Sequence, residues 1–192
     1  MKRSIVSGVA LLVATLSCES WSATVINGCV IKPHTKCPYV DLSGQDLSDK
    51  DLAGAVLVGA NLKGTKFNNA KLTNVVLSGA NLEGADLTGA GLRYGTLVMA
   101  SFKGATLDSA NLRNANLLRA NFTGASMKST NLTAAFAAKT NFTNANFDMT
   151  DLTRASFIQA NFTNTTLTNI KLKQTKIYAC TLKPNGAMTI RP

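Results

Sequence analysis

Ala60-Asn61-Leu62-Lys63-Gly64, Ala80-Asn81-Leu82-Glu83-Gly84, Ala120-Asn121-Phe122-Thr123-Gly124 and Ala160-Asn161-Phe162-Thr163-Asn164 are four copies of one five-residue unit, and their spacing decides the fold. From Leu42 to Leu182 every fifth residue is Leu, Phe, Met, Ile or, once, Ala, through twenty-nine consecutive units without an insertion or deletion. A period of five fits neither a helix nor a flat strand, so the chain must turn a corner every few residues and stack on itself.

These units, in register over about three quarters of the chain, resemble the pentapeptide-repeat family. The resemblance implies an all-β fold, a right-handed quadrilateral β-helix with four pentapeptides per coil. The central Leu or Phe and the small residue two before it would point inward. Twenty-nine units would then make about seven coils, a rod about 35 Å long at strand spacing.

If four units make one coil, residues twenty apart are vertical neighbours, about 4.8 Å apart as in adjacent strands. Charge offers a test independent of the Leu register, because opposite signs stack favourably and like signs do not. Asp46, Lys66 and Asp86 alternate at this spacing, as do Lys63, Glu83 and Lys103, and Asp108, Lys128 and Asp148; Asp51 with Lys71 and Asp151 with Lys171 add two pairs. The core repeats likewise. Phe102, Phe122, Phe142 and Phe162 should form an aromatic column with Leu42, Leu62 and Leu82 below and Leu182 above, while Leu52 through Leu172 form an all-Leu column. Ala137 breaks the central row, and Phe157 above it is expected to fill the missing volume. Asn61, Asn81, Asn121, Asn141 and Asn161 should stack and bond side chain to side chain. Gly44, Gly54, Gly59, Gly64, Gly79, Gly84, Gly89, Gly104 and Gly124 recur at the fifth position of the unit, where corners demand tight turns. Asn69, Asn114, Asn144, Asn164 and Asn169 take the same place.

The 192 residues carry a formal charge of +10, one His and four Cys. Met1-Lys2-Arg3 followed by an apolar run, Ile5 to Leu16, reads as a signal peptide over residues 1–23, cut after Ser22 or Ala23. The run is too short for a membrane span. Export to the periplasm or beyond is therefore expected. Thr15-Leu16-Ser17-Cys18 distantly resembles a bacterial lipobox, which would instead leave Cys18 acylated. Residues 24–39 read as an N-terminal cap loop, 40–184 as the repeat body and 185–192 as a tail. In an oxidising compartment Cys29 and Cys37 read as a disulfide pinning the cap, a loop that would contribute about 2–3 kcal/mol. Metal binding by the pair with His34 would lack a fourth ligand. Cys180 falls at an inward small position, as a buried free thiol or an odd thiol open to a cross-chain bond.

Sorting outward positions by face gives the one asymmetry with functional content. On the fourth face Val58, Ser78, Val98, Leu118, Ala138, Ile158 and Tyr178 follow the central residues, Val56, Val76 and Phe136 precede them, and Met99 lies beside them. The other faces carry Thr, Ser, Asn and charges. An apolar wall marks a contact surface, although outward strand positions also favour β-branched residues on their own account. Beside it gather Arg93, Arg113, Arg119, Lys139 and Arg154, without acids, and Lys171, Lys173, Lys176, Lys183 and Arg191 crowd the C-terminal end. Such a flank suits an acidic partner, whether lipid surface, anionic polymer or nucleic acid. Nucleic acid fits least, since export is expected and no aromatic residues interleave with the arginines. A homodimer, or another protein, would also suit the wall. End-to-end pairing, which the resemblance also suggests, is a rival mode.

Nothing points to a cofactor. His34 is the only His and lies in the cap loop, where no Ser-His-acid set can assemble. Most acids are matched to Lys, and a convex rod offers no cleft for paired carboxylates. The sequence therefore reads as non-enzymatic. The activity for which the resembled family is best known, protection of DNA gyrase by mimicry of duplex DNA, requires an acidic cytoplasmic rod. This chain is basic and is expected to be exported, so that activity is the least favoured of the alternatives.

Overall fold

A computed structural model describes residues 24–181. The expected signal segment, Cys18, Leu182, Lys183, Arg191 and the expected tail 185–192 lie outside the described residues.

The chain opens with a two-stranded antiparallel hairpin, β1 (Val25–Ile26) and β2 (Cys29–Val30), in which Val25 pairs with Val30 and Ile26 with Cys29. Asn27-Gly28 turns it with positive φ at both residues, 48° and 77°, the signature of the two-residue hairpin turns that match strand twist. Cys29 and Ile31 drop from it into the hydrophobic core, and Asn27 Nδ2 donates to Asp41 O. The cap therefore covers the first level of the solenoid and is tied to it.

Beyond the hairpin every unit contributes one parallel bridge to the unit twenty residues away, from Lys36↔Val56 to Asn161↔Thr181. Stacking thus begins at Lys36, one unit before the expected start of the repeat body. The unit from Ala80 explains why the sequence must look as it does. Asn81 N donates to Ala60 O in the level below (2.9 Å). Leu82 N and Gly84 N donate to Ser101 O (2.7 Å) and Lys103 O (3.0 Å) in the level above. Ala85 N closes the turn onto Leu82 O (3.1 Å). Glu83 N, which would otherwise be orphaned, is taken by the Asn81 side-chain oxygen (3.0 Å). Every N–H is used, as a buried or tightly turned backbone requires. Asn or Asp precedes the central residue because its side chain is the acceptor that completes this turn.

The third residue of that turn has positive φ, the mark of type II geometry. All nine expected glycines and all five expected asparagines show it, but so do Tyr39, Tyr94, Met99, Arg119, Lys139, Met149 and Arg154. The corner is imposed by the hydrogen-bond frame, and residues that dislike the left-handed region are held there.

Inside, the central positions are buried from Leu42 to Leu167 and the small positions from Ala55 to Ile170, whereas Gln45 and Lys50 at the first levels are not. Phe102, Phe122, Phe142 and Phe162 stack as expected, with centroids 4.6, 5.3 and 5.1 Å apart. Phe157, one level above Ala137 in the same column, meets Phe142 (5.9 Å) and Phe162 (5.3 Å) edge-on. Thr replaces Ala at several inward positions, and each hydroxyl finds a carbonyl of the level below. Thr65 donates to Leu42 O (2.8 Å), Thr130 to Leu107 O (2.8 Å) and Thr165 to Phe142 O (2.9 Å). Buried polarity is satisfied while tying neighbouring levels together.

Two expectations about the outer ladders need correction. The asparagines do not bond directly to each other. Asn161 Nδ2 donates to Thr143 Oγ1 (3.1 Å), which donates to Asn141 Oδ1 (2.6 Å); Asn141 Nδ2 in turn donates to Thr123 Oγ1 (3.0 Å), which donates to Asn121 Oδ1 (2.6 Å). Each Asn oxygen is already committed to its own turn, so a threonine hydroxyl relays the contact. The charge ladders are in register, with Asp46↔Lys66↔Asp86, Asp51↔Lys71 and Asp151↔Lys171 directly opposed. Among the described residues, however, ion-pair distance is reached by Lys171 and Asp151 alone, at 3.8 Å. The acids turn inward along the chain to cap: Asp41, Asp46, Asp51 and Asp86 accept from the backbone N–H two residues on. A fixed hydrogen bond outcompetes an exposed pair that must immobilise a lysine. Bonds from the Ser43 hydroxyl and N–H hold Asp41 below the ordinary carboxylate range, and those from Ser48 do the same for Asp46.

Candidate interaction surface

Each level has four sides, and the fourth carries the bridge column Lys36, Val56, Val76, Thr96, Asn116, Phe136, Ser156 and Lys176. Beside it runs the turn column Val58, Ser78, Val98, Leu118, Ala138, Ile158 and Tyr178, whose carbonyls accept in register from the corner N–H one level below, as in Met99 N to Leu118 O (2.9 Å) and Lys139 N to Ile158 O (2.8 Å). The structure therefore brings the apolar residues onto one side, with Ser78, Thr96, Asn116 and Ser156 among them.

Their exposure is uneven. Val56, Val58, Val76, Val98 and Leu118 are half-buried, shielded by the levels above and below. Ala138 is buried between Leu118 and Ile158. Met99 (56%), Phe136 (42%), Ile158 (39%) and Tyr178 (61%) stand out into solvent. Eight large hydrophobic residues are exposed among the described ones, and all but Val25 and Met149 lie on this wall or its two corners. Single exposed hydrophobics are ordinary, whereas gathering on one side is not. Tyr39 and Tyr94, which complete the set, were not read as part of the wall. The signal was available, since they occupy the corner positions that border it.

The basic residues frame the strip on both sides. Arg119 and Lys139 follow Met99 up one corner. Arg154 shares the other corner with Tyr94, and Arg93 and Arg113 lie just beyond it on the third face. All five are exposed, and none is within ion-pair distance of an acid among the described residues. The Arg93 guanidinium sits 5.5 Å from the Tyr94 ring centroid and, by hydrogen bonding and charge, lowers the phenol below its ordinary pKa. Arg154 Nε donates to Gln174 Oε1 (2.9 Å).

At the cap, Cys29 and Cys37 are bonded, with Cα atoms 5.7 Å apart, and Thr35 Oγ1 lies 3.3 Å from Cys37 Sγ. The His34 ring lies against Gly54, and the Tyr39 ring against Gly59. Cys180 is free and half-buried rather than enclosed. Its thiol takes the place of the inward threonine hydroxyls and donates to Phe157 O, while burial raises its pKa. Among the described residues no helix is long and apolar enough to cross a membrane.

A coil of four turned sides, capped by Asx bonds and filled by one large and one small residue per side, is the architecture of a pentapeptide-repeat solenoid. The family model for pentapeptide repeats matches residues 39–74, 65–98, 100–136 and 138–174, in 8 copies, and the chain belongs to that family. Its fold is the right-handed quadrilateral β-helix.

Similar solved structures include trypsin-treated QnrB1, a plasmid-mediated fluoroquinolone resistance protein, at 20% identity over 79% of this chain and 84% of that one, with a TM-score of 0.42. A pentapeptide repeat protein of the cyanobacterium Cyanothece 51142 is 19% identical over 78% and 88%, with a TM-score of 0.38. One from the Arabidopsis thaliana thylakoid lumen is 33% identical over 54% and 68%, with a TM-score of 0.29. No curated protein matches the chain.

Proposed function

We propose that this protein is an exported, non-enzymatic repeat rod that serves as a structural or protein-interaction module through its fourth wall. The observation that carries the reading is the gathering of Met99, Phe136, Ile158 and Tyr178, exposed, on one strip between two basic corners. The Cys29–Cys37 bond suits an oxidising compartment, in keeping with export. Residues 1–25 fused to an export reporter should carry it across the inner membrane, and a reporter that stays in the cytoplasm would return a gyrase-directed role to consideration.

The direct test is Leu118→Glu with Ile158→Glu in residues 24–192. Circular dichroism should be unchanged while self-association or partner binding is lost, as read by light scattering after size exclusion. Association that survives both changes would reduce the wall to ordinary strand chemistry. A second reading, binding of an anionic polymer or a membrane surface, is favoured by the five flanking cations, none of which is within ion-pair distance of an acid among the described residues.

A further inference from the structure

The charges are partitioned across the rod. The second side and its corner, opposite the wall, hold Asp46, Asp49, Asp86, Asp108 and Asp148 beside Lys66 and Lys128, the third side holds Asp51 and Asp151 beside Arg93, Arg113 and Arg154, and the fourth side and its corner hold no acid. The fourth side pairs its cations with protruding apolar groups along an unbroken run of parallel bridges from Lys36 to Lys176.

Three occupants can be compared against that pattern. A second copy packed wall to wall by a two-fold axis would set basic corner against basic corner whichever way the rods run, and like charges facing each other are unfavourable. A hydrated anionic polymer would satisfy the cations but leave Phe136 and Ile158 with nothing to bury against. An anionic bilayer surface satisfies both. Cations at the two corners meet phosphate, and the central apolar groups enter the headgroup–acyl boundary. Tyr94 and Tyr178 have the apolar body and polar tip suited to that boundary.

We propose that the fourth wall docks on an anionic lipid surface, an inference that rests on the wall being a contact surface at all. Residues 24–192, which contain every level described, would be sedimented with vesicles of phosphatidylcholine alone and with about one third phosphatidylglycerol. Binding is expected on the anionic vesicles only, falling steeply with salt. Arg119→Gln with Lys139→Gln should weaken it about 30-fold, and Phe136→Ser with Ile158→Ser should weaken it several-fold. Lys63→Gln with Lys103→Gln, on the first side, should leave it unchanged. Circular dichroism checks each variant's fold. Equal binding to both vesicles, no binding, or equal damage from the first-side pair would overturn the proposal. If vesicles are ignored but a dimer forms and Ile158→Glu dissolves it, the lipid occupant falls and the contact surface stands. Wall variants that change neither assay overturn both.

Discussion

Phe142 is the hub of the core, and replacing it by Leu gives the sharpest test of how the aromatic column stabilises the rod. Its ring meets Phe122 (5.3 Å), Phe147 (5.0 Å), Phe157 (5.9 Å) and Phe162 (5.1 Å). Phe67 is the matched control, with 1% exposure against 0% for Phe142, and it belongs to none of the ring pairs. Leu is native in both columns, at Leu62 and Leu82 below Phe142 and at Leu47 and Leu87 around Phe67, so neither substitution offends the frame. Both lose similar apolar area, and the difference between them isolates the ring contacts. At about 0.5–1.5 kcal/mol per pair, four pairs sum to about 2–6 kcal/mol. Shared neighbours make such terms non-additive, so the excess for Phe142→Leu is expected at about 2–3 kcal/mol. Urea unfolding followed by far-ultraviolet circular dichroism measures it, with one slope fitted to both variants. Hydrogen exchange should quicken around residues 122–162 and not around Leu62, because each level of a solenoid feels its neighbours only. Losses equal within about 0.5 kcal/mol would refute the argument and make the column a matter of volume alone.

Thr130→Val should cost about 1 kcal/mol through loss of the hydroxyl bond to Leu107 O, and Thr130→Ser should recover most of it in the same unfolding assay. Burial alone would raise the pKa of Asp86, but bonds from the Thr88 hydroxyl, the Asn68 amide and the Thr88 N–H, with the Lys66 charge, lower it from the ordinary 3.8. A lowered folded pKa stabilises above 3.8 and is lost as pH falls through the folded value, so Asp86→Asn should flatten the acid limb of the stability profile below 3.8. Gly54→Ala and Gly44→Ala meet the same φ of 66°, but only Gly54 has a ring, that of His34, against it. Melting should show both destabilised by about 1–2 kcal/mol from backbone strain, with Gly54→Ala the worse.

The register was legible because it depends on volume and period, which composition displays openly. Leu and Phe at every fifth place, the Phe column and the glycine corners all follow from the need to fill a narrow tube and turn its edges. The outer surface was less legible because its polar side chains have several partners to choose from. Asp46 could pair with Lys66 or cap its own turn, and the sequence does not say that the turn wins. Asn141 could bond to Asn161 or through Thr143, and only the commitment of its oxygen to the turn decides. The corner glycines suggested a rule about glycine, whereas Arg119 and Lys139 in the same conformation show that the rule belongs to the frame. The wall could be sorted from the sequence by counting in twenties. How far each residue protrudes could not, since Ala138 and Ile158 sit one level apart in one column and differ from 7% to 39% exposed.

The left-handed corner has a consequence for how such a chain can change. Because the Asx bond and the ladder bonds set the corner whatever side chain stands there, the vertices of the solenoid behave as a printed grid, with positions fixed in advance and contents free. A guanidinium, a thioether or a phenol can be exchanged at a vertex for a small and local penalty while the tube beneath keeps its packing. New surfaces can therefore arise on this scaffold one vertex at a time, each stacked directly over the last, with no requirement that the core be redesigned to display them.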